Sequence, residues 1–393
     1  MSAAKSYAIF FSIIAATVGL IAGLRATTHG QPTAIIQAAA EQTKTPPQNP
    51  YPLATPLSLK QKVGQLFMVG IPGTTIDATA HALLTQYYVG GIFLLGKNIE
   101  SPQQLLSLTT TAQHQALYAD NAIPLFIATD QEGGEASRIS FGAHAATPQS
   151  AITDTIQAYI LARERGEALK QLGINTNFSP VVDSIHSSSS FLFPRTFHVP
   201  DNQIASLASA MIRGYQEAGI IAVAKHFPGH TDQAQDPHLT ASYSAVSTTT
   251  LQENEQPFQK LIAISHPLMM MVDHVIYTHI DPQNPASMSP TIIRTLRTDM
   301  GYQNIIITDD MEMAAVTQHT TSLSDAVIQA LKAGADIVLL SGFTVSPQEH
   351  EAVIQAVQNA VQNGIISEST LNQKVERILE IKKQALAQTQ ENN

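Results

Sequence analysis

Eight short apolar runs, separated by longer amphipathic stretches, constrain this chain more than any other feature. They are Phe67–Val69, Ile92–Leu95, Leu125–Thr129, Asn177–Val182, Ile221–Ala224, Leu268–Val272, Ile305–Thr308 and Ile337–Leu340. Each is too short for a helix and carries no polar alternation, which is how strands buried on both faces read. Helical segments lie between them. One opens at Ser101-Pro102 and runs toward Tyr118; others span Asp154–Leu172, Asn202–Ala218, Ser324–Ala333 and Ser346–Gln362. Gly219, Gly334 and Gly364 follow the last three as C-terminal stops. Repeated strand–helix units build a parallel sheet covered by helices. Eight of them in about 330 residues close into a single (β/α)8 barrel of the α/β class.

Many of these runs stop at a polar residue: Asp130, Asp183, Lys225 with His226, Asp273 with His274, and Asp309. In a barrel such positions gather at the C-terminal ends of the strands, the face where barrel enzymes keep their chemistry. One isolated Asp after a strand is an ordinary helix N-cap. Five strands ending this way together call for another explanation.

Composition removes several classes of function. The net charge is −10 and only 13% of residues are charged, so there is no basic stripe to hold nucleic-acid phosphates. There are no cysteines, which excludes disulfides, thiolate nucleophiles and Cys-ligated metals. At the N-terminus, Lys5 precedes an apolar run from Tyr7 to Leu24, and Arg25 follows it. Residues 1–25 therefore read as a signal peptide or membrane anchor. The anchor is favoured, because no clean A-x-A site ends the run. Residues 26–57, rich in Gln, Thr, Ala and Pro, read as a disordered linker. The barrel is expected over residues 58–385, with a flexible tail over 386–393. This arrangement predicts a protein outside the cytoplasm, membrane-anchored or secreted (periplasmic or cell-surface in a bacterium), whose single-domain barrel works as a monomer.

Three constellations carry chemistry. The densest is Lys225-His226-Phe227-Pro228-Gly229-His230, followed by Asp236-Pro237-His238; three His, two Asp and one Lys fall within 14 positions. It has Pro and Gly and no apolar periodicity, so it reads as a loop, a lid or a catalytic arm. Asp236 is close enough to hold the His238 imidazole by one ring nitrogen, leaving the other to handle a substrate proton. A metal reading of His226, His230, Asp236 and His238 is weighed and set aside, because no further ligand motif such as HExxH is present. A second constellation is Ile305 to Met313, in which a buried strand delivers Asp309 to the active face, where a carboxylate attacks an electrophilic carbon. Asp310 reads as a cap for the next helix. The third is Asp130-Gln131-Glu132-Gly133-Gly134 with Arg138 beyond it. Phosphate-loop spacing is absent, and Asp130 and Arg138 suit sugar hydroxyls.

These motifs resemble glycoside hydrolase family 3, in particular its β-N-acetylglucosaminidase branch, over about residues 58 to 385. The Lys225–His230 stretch with Asp236-x-His238 is similar to that branch's mobile loop. Asp130-Gln-Glu-Gly-Gly, Ser179-Pro-Val-Val-Asp183, Arg195-Thr-Phe197, His274-Val-Ile-Tyr277, Thr308-Asp-Asp-Met311 and Ala333-Gly-Ala-Asp336 fall in the family's order. The resemblance implies that Asp309 is the nucleophile and that His238, paired with Asp236, is the acid/base. Asp130, Arg138, Arg195, Lys225 and His226 match positions that bind the N-acetylglucosamine unit.

The implied activity is a retaining exo-β-N-acetylglucosaminidase. It needs no cofactor and no metal, and acts on carbohydrate such as peptidoglycan fragments. The alternatives are another family 3 β-glycosidase (β-glucosidase or β-xylosidase) and a non-catalytic, membrane-tethered glycan-binding protein. Two positions depart from the family pattern. Glu135 stands where Arg is common, and Pro237 replaces the usual Ser between Asp236 and His238.

Overall fold

The computed structural model describes residues 56–386, apart from 121, 142–145 and 233–234. The expected membrane segment, the linker up to residue 55 and the final residues from 387 lie outside the described residues. Among those described, no helix is long and apolar enough to cross a membrane.

Eight parallel strands close a barrel. They are β1 Phe67–Gly70, β2 Gly91–Leu94, β3 Phe126–Thr129, β4 Thr176–Asn177, β5 Ile221–Phe227, β6 Met269–Val272, β7 Ile305–Asp310 and β8 Ile337–Leu340. Their order around the barrel is β1-β8-β7-β6-β5-β4-β3-β2, with β2 returning to β1. Every residue of β1, β2, β3, β6 and β8 is buried, as continuous apolar runs require when helices cover the outside.

The helices form where their caps and apolar stripes put them. Ser101 accepts from the Gln104 amide at 3.2 Å and opens Pro102–Leu117. Asp154 accepts from the Ile156 and Gln157 amides, each at 2.9 Å, and opens Thr155–Gln171. Ser346 and Glu349 cap each other reciprocally at the start of Pro347–Gln362. In Asp201–Glu217 the buried Ile204, Leu207, Ala208, Met211 and Tyr215 repeat at helical spacing and face the barrel. Each such fully buried large side chain stabilises the fold by about 1.5–3 kcal/mol.

Two strands differ from the expected runs. The run Asn177–Val182 forms only the short β4, because Pro180 has no N–H to give a ladder; pairing resumes as one bridge, Val181 to Lys225. The stretch read as a loop from Lys225 instead begins as strand. Lys225, His226 and Phe227 are the buried end of β5. A strand end carries polar side chains in a core when each has a charged or hydrogen-bonding partner, and these do.

Gly70 ends β1 beside the end of β8. A Cβ there would lie 1.7 Å from the Ser341 carbonyl oxygen, so only glycine allows the two strand ends to approach this closely.

Candidate active site

A cavity of about 650 Å³ opens at the C-terminal end of the barrel, lined by Asp130, Arg138, Arg195, Lys225, His226, His238 and Asp309, among others. Seven of the eight site residues expected from sequence thus line one pocket. The eighth, Asp236, stands behind His238 and accepts at 2.8 Å from its Nδ1 and at 3.0 Å from its backbone amide. That contact leaves Nε2 of His238 available for a proton. The arm carrying His238 is docked on the short helix after β7, Ala314–Thr317: the Pro237 carbonyl accepts from the Ala315 amide at 3.0 Å.

On one wall, charges interlock. Lys225 Nζ lies 2.9 Å from Asp130 Oδ1 and 2.5 Å from Glu132 Oε1. Arg138 Nη2 meets Asp130 Oδ2 at 3.2 Å. Arg195 grips both oxygens of Glu132, at 2.8 and 2.7 Å. Burial pushes the Asp130 carboxyl up, but Lys225 and then Arg138 outweigh it and hold it low. Burial likewise acts against ionised Glu132, yet Arg195 and Lys225 bring it to about 2. For Lys225, burial is outweighed by Asp130 and Glu132, which keep the ammonium charged. On this wall Asp130 and Glu132 thus face Lys225, Arg138 and Arg195.

Glu132 is the residue that sequence reasoning passed over. Nothing in its motif marks it for a role, although its side chain is buried and holds two of the expected sugar-binding cations. Its backbone is fixed from below, where the buried Arg165 donates to the Glu132 carbonyl at 2.8 Å and to the Thr147 carbonyl at 2.9 Å. Gly133, at φ +91°, makes the turn; a Cβ there would lie 2.0 Å from the Thr147 carbonyl oxygen.

Asp309 projects from β7 into the same cavity. Burial pushes its carboxyl up, but His226 first, then His274, His238 and Lys225, hold it at about 2. Lys225 contributes at any pH of interest; the imidazoles contribute while protonated. Asp309 is therefore an anion at neutral pH, within electrostatic reach of the His238 ring.

The other strand-end residues divide. Asp183 sits beneath the pocket and accepts from the His226 amide and Nδ1, both at 2.9 Å, and from the His230 amide at 2.7 Å. The ligand-type atoms of Asp183, His226 and His230 lie within 4.8 Å of one another. The structure thus groups these three rather than joining Asp236 and His238 to them, and the Asp183 oxygens are occupied by the N–H groups just named. Asp273 turns away from the cavity to accept from Tyr277 at 2.7 Å, and burial raises its carboxyl well above the usual range. Asp310 does not cap a helix as expected. Met313 is the N-cap of Ala314–Thr317, while Asp310 accepts from the Ser341 amide at 3.1 Å, tying β7 to the end of β8.

The glycosyl hydrolase family 3 N-terminal domain matches residues 58–381. The chain belongs to glycoside hydrolase family 3. It is accordingly a glycoside hydrolase, and similar proteins match most of its length. Beta-hexosaminidase LpqI of Mycobacterium tuberculosis is 30% identical over 94% of this chain and 96% of its own. A beta-hexosaminidase of Nitrosomonas eutropha is 33% identical over 70% of this chain and 79% of its own. Among solved structures, a family 3 beta-N-acetylglucosaminidase from Paenibacillus superposes with a TM-score of 0.79 at 33% identity, covering 84% of this chain and 63% of that one. The chain spans only 56% of Beta-hexosaminidase A of Pseudoalteromonas piscicida. The family 3 barrel expected from sequence is the fold observed.

Proposed function

We propose that this glycoside hydrolase is a retaining exo-β-N-acetylglucosaminidase, releasing terminal non-reducing β-linked N-acetylglucosamine from peptidoglycan fragments. The observation that carries the reading is a single cavity lined by an ionised carboxylate, Asp309, and by an imidazole held from behind by a carboxylate, His238 with Asp236. The β-hexosaminidase names of the relatives agree with it.

In the first step Asp309 attacks the anomeric carbon while His238 gives its proton to the departing glycosidic oxygen; the leaving group departs as an alcohol and a covalent glycosyl–Asp309 ester forms. Neutral His238 then takes a proton from water, whose oxygen attacks the anomeric carbon and frees Asp309. Two inversions give net retention. Because the acid is an imidazole, the carboxylate-separation rule for retaining enzymes does not apply. Asp130, Arg138, Arg195, Lys225 and His226 bind the sugar's hydroxyl and N-acetyl groups, and the route draws on no cofactor. The N-terminal apolar segment would deliver the barrel, acting as a monomer, to the far side of the membrane.

The test is turnover of an aryl β-N-acetylglucosaminide, with product stereochemistry followed by NMR. Asp309→Asn should lower kcat by roughly 10³-fold or more, and the first-formed sugar should be the β anomer. Near-normal turnover by Asp309→Asn, or an α product, overturns the assignment. Faster hydrolysis of the aryl glucoside would instead favour a β-glucosidase.

A further inference from the structure

The cavity has two unlike halves. Toward β3, β4 and β5 it is lined by the interlocked charges. Toward β7, β8 and β2 its lining mixes Met313, Ala314, Phe343 and Leu95 with Lys97, Asp310 and Glu312. Phe343, on the loop after β8, is 78% exposed although it lines the pocket. An aromatic ring left in water at the mouth of a polar site forgoes the stabilisation that burial would bring.

The loop that presents this ring is tightly held. Five consecutive backbone amides are occupied. Ser341 donates to Asp310 at 3.1 Å and Gly342 to Glu312 at 2.8 Å. Phe343 donates to Ser341 Oγ at 3.2 Å, and Thr344 and Val345 donate to Glu312 at 2.9 and 3.2 Å. The Glu312 carboxylate is steadied in turn by His350 Nε2 at 2.8 Å. From the loop after β2, Lys97 crosses to the Gly342 carbonyl. A backbone held this way has little conformational freedom left to lose when a ligand covers its side chain.

We propose that Phe343 is the platform for the leaving group, taking the apolar C–H face of the pyranose on the reducing side of the scissile bond. This rests on the exo-glycosidase reading of the pocket and deepens it. The charged half holds the terminal sugar by its hydroxyl and amide groups. The glycosidic oxygen then lies between Asp309 and His238, and the next ring emerges at the cavity mouth, where Phe343 stands. Glu312 is a positioning residue for that platform.

The experiment compares kcat/KM on N,N′-diacetylchitobiose with kcat/KM on β-N-acetylglucosaminyl fluoride, whose leaving group is too small to reach Phe343. Phe343→Ala should lower the disaccharide-to-fluoride ratio about 3- to 15-fold, and Phe343→Tyr should restore it. A ratio equal to that of wild type in Phe343→Ala, whether both substrates slow together or neither does, overturns the proposal while leaving the glycosidase reading intact. If the unaltered protein hydrolyses neither substrate, the glycosidase reading falls and the platform falls with it.

Discussion

Both oxygens of the buried Glu132 carboxylate accept from Arg195, at 2.8 Å from Nε and 2.7 Å from Nη2, while Lys225 presses on the same group from the other side. Removing its charge takes from Arg195 the carboxylate it grips and leaves Lys225 with Asp130 alone. Glu132→Gln should therefore cost about 3–5 kcal/mol of folding stability. It should also raise KM for N-acetylglucosaminides, because the cations expected to bind sugar lose their alignment. Urea denaturation and steady-state kinetics measure the two effects. A variant with unaltered stability would show that the pairs contribute nothing net.

The pairing of His238 with Asp236 predicts a dependence on leaving group. A sugar alcohol needs a proton to depart and fluoride does not. His238→Ala and Asp236→Ala should each lower kcat/KM, which reports the step that expels the leaving group, far more for the disaccharide than for the fluoride, by roughly 10²–10⁴-fold for His238→Ala. Equal losses in kcat/KM on both substrates would remove His238 from the acid role.

The strands and the barrel were readable from sequence because burial on both faces leaves an unbroken apolar run, as in Ile305-Ile306-Ile307. The catalytic end was less readable, for a physical reason. Lys225 and His226 look like loop residues until Asp130, Glu132 and Asp183 are brought beside them, and Asp130 is 95 positions away in the chain. Glu132 has no apolar signal at all; it is buried by Arg195 and Lys225, both remote in sequence. Pro180 was the local sign that the fourth run would not pair along its length, and the weight of its apolar neighbours concealed it.

Glu255 supplies a pH test remote from the site. Burial, with Asp299 adding to it, raises its carboxyl to about 7. A carboxyl raised on folding binds its proton more tightly in the native state. Its stabilising contribution is thus fully present below the unfolded value and is lost as pH rises through about 7. Glu255→Gln, which mimics the protonated form, should stabilise the fold by about 1–2 kcal/mol near pH 8 and change it little near pH 4. Thermal melts at the two pH values decide it; an equal shift at both would refute the linkage.

Gly70 predicts a steric coupling. Gly70→Ala places a methyl group against the Ser341 carbonyl, and backbone must yield. A loss of about 1–3 kcal/mol is expected, together with faster amide exchange across residues 341–345. Wild-type exchange in that loop would mean that β1 yields instead.

The contact from the Ala315 amide to the Pro237 carbonyl gives the site a shared hinge pin. Proline can accept there while offering no donor to pull the arm elsewhere. His238, the proposed proton donor, and Asp309, the proposed nucleophile, thus stand on stretches of main chain that this bond ties together. The arm is thereby referenced to the segment that follows the Asp309 strand, so the spacing between the two side chains depends on one main-chain contact and not only on the free run of the arm.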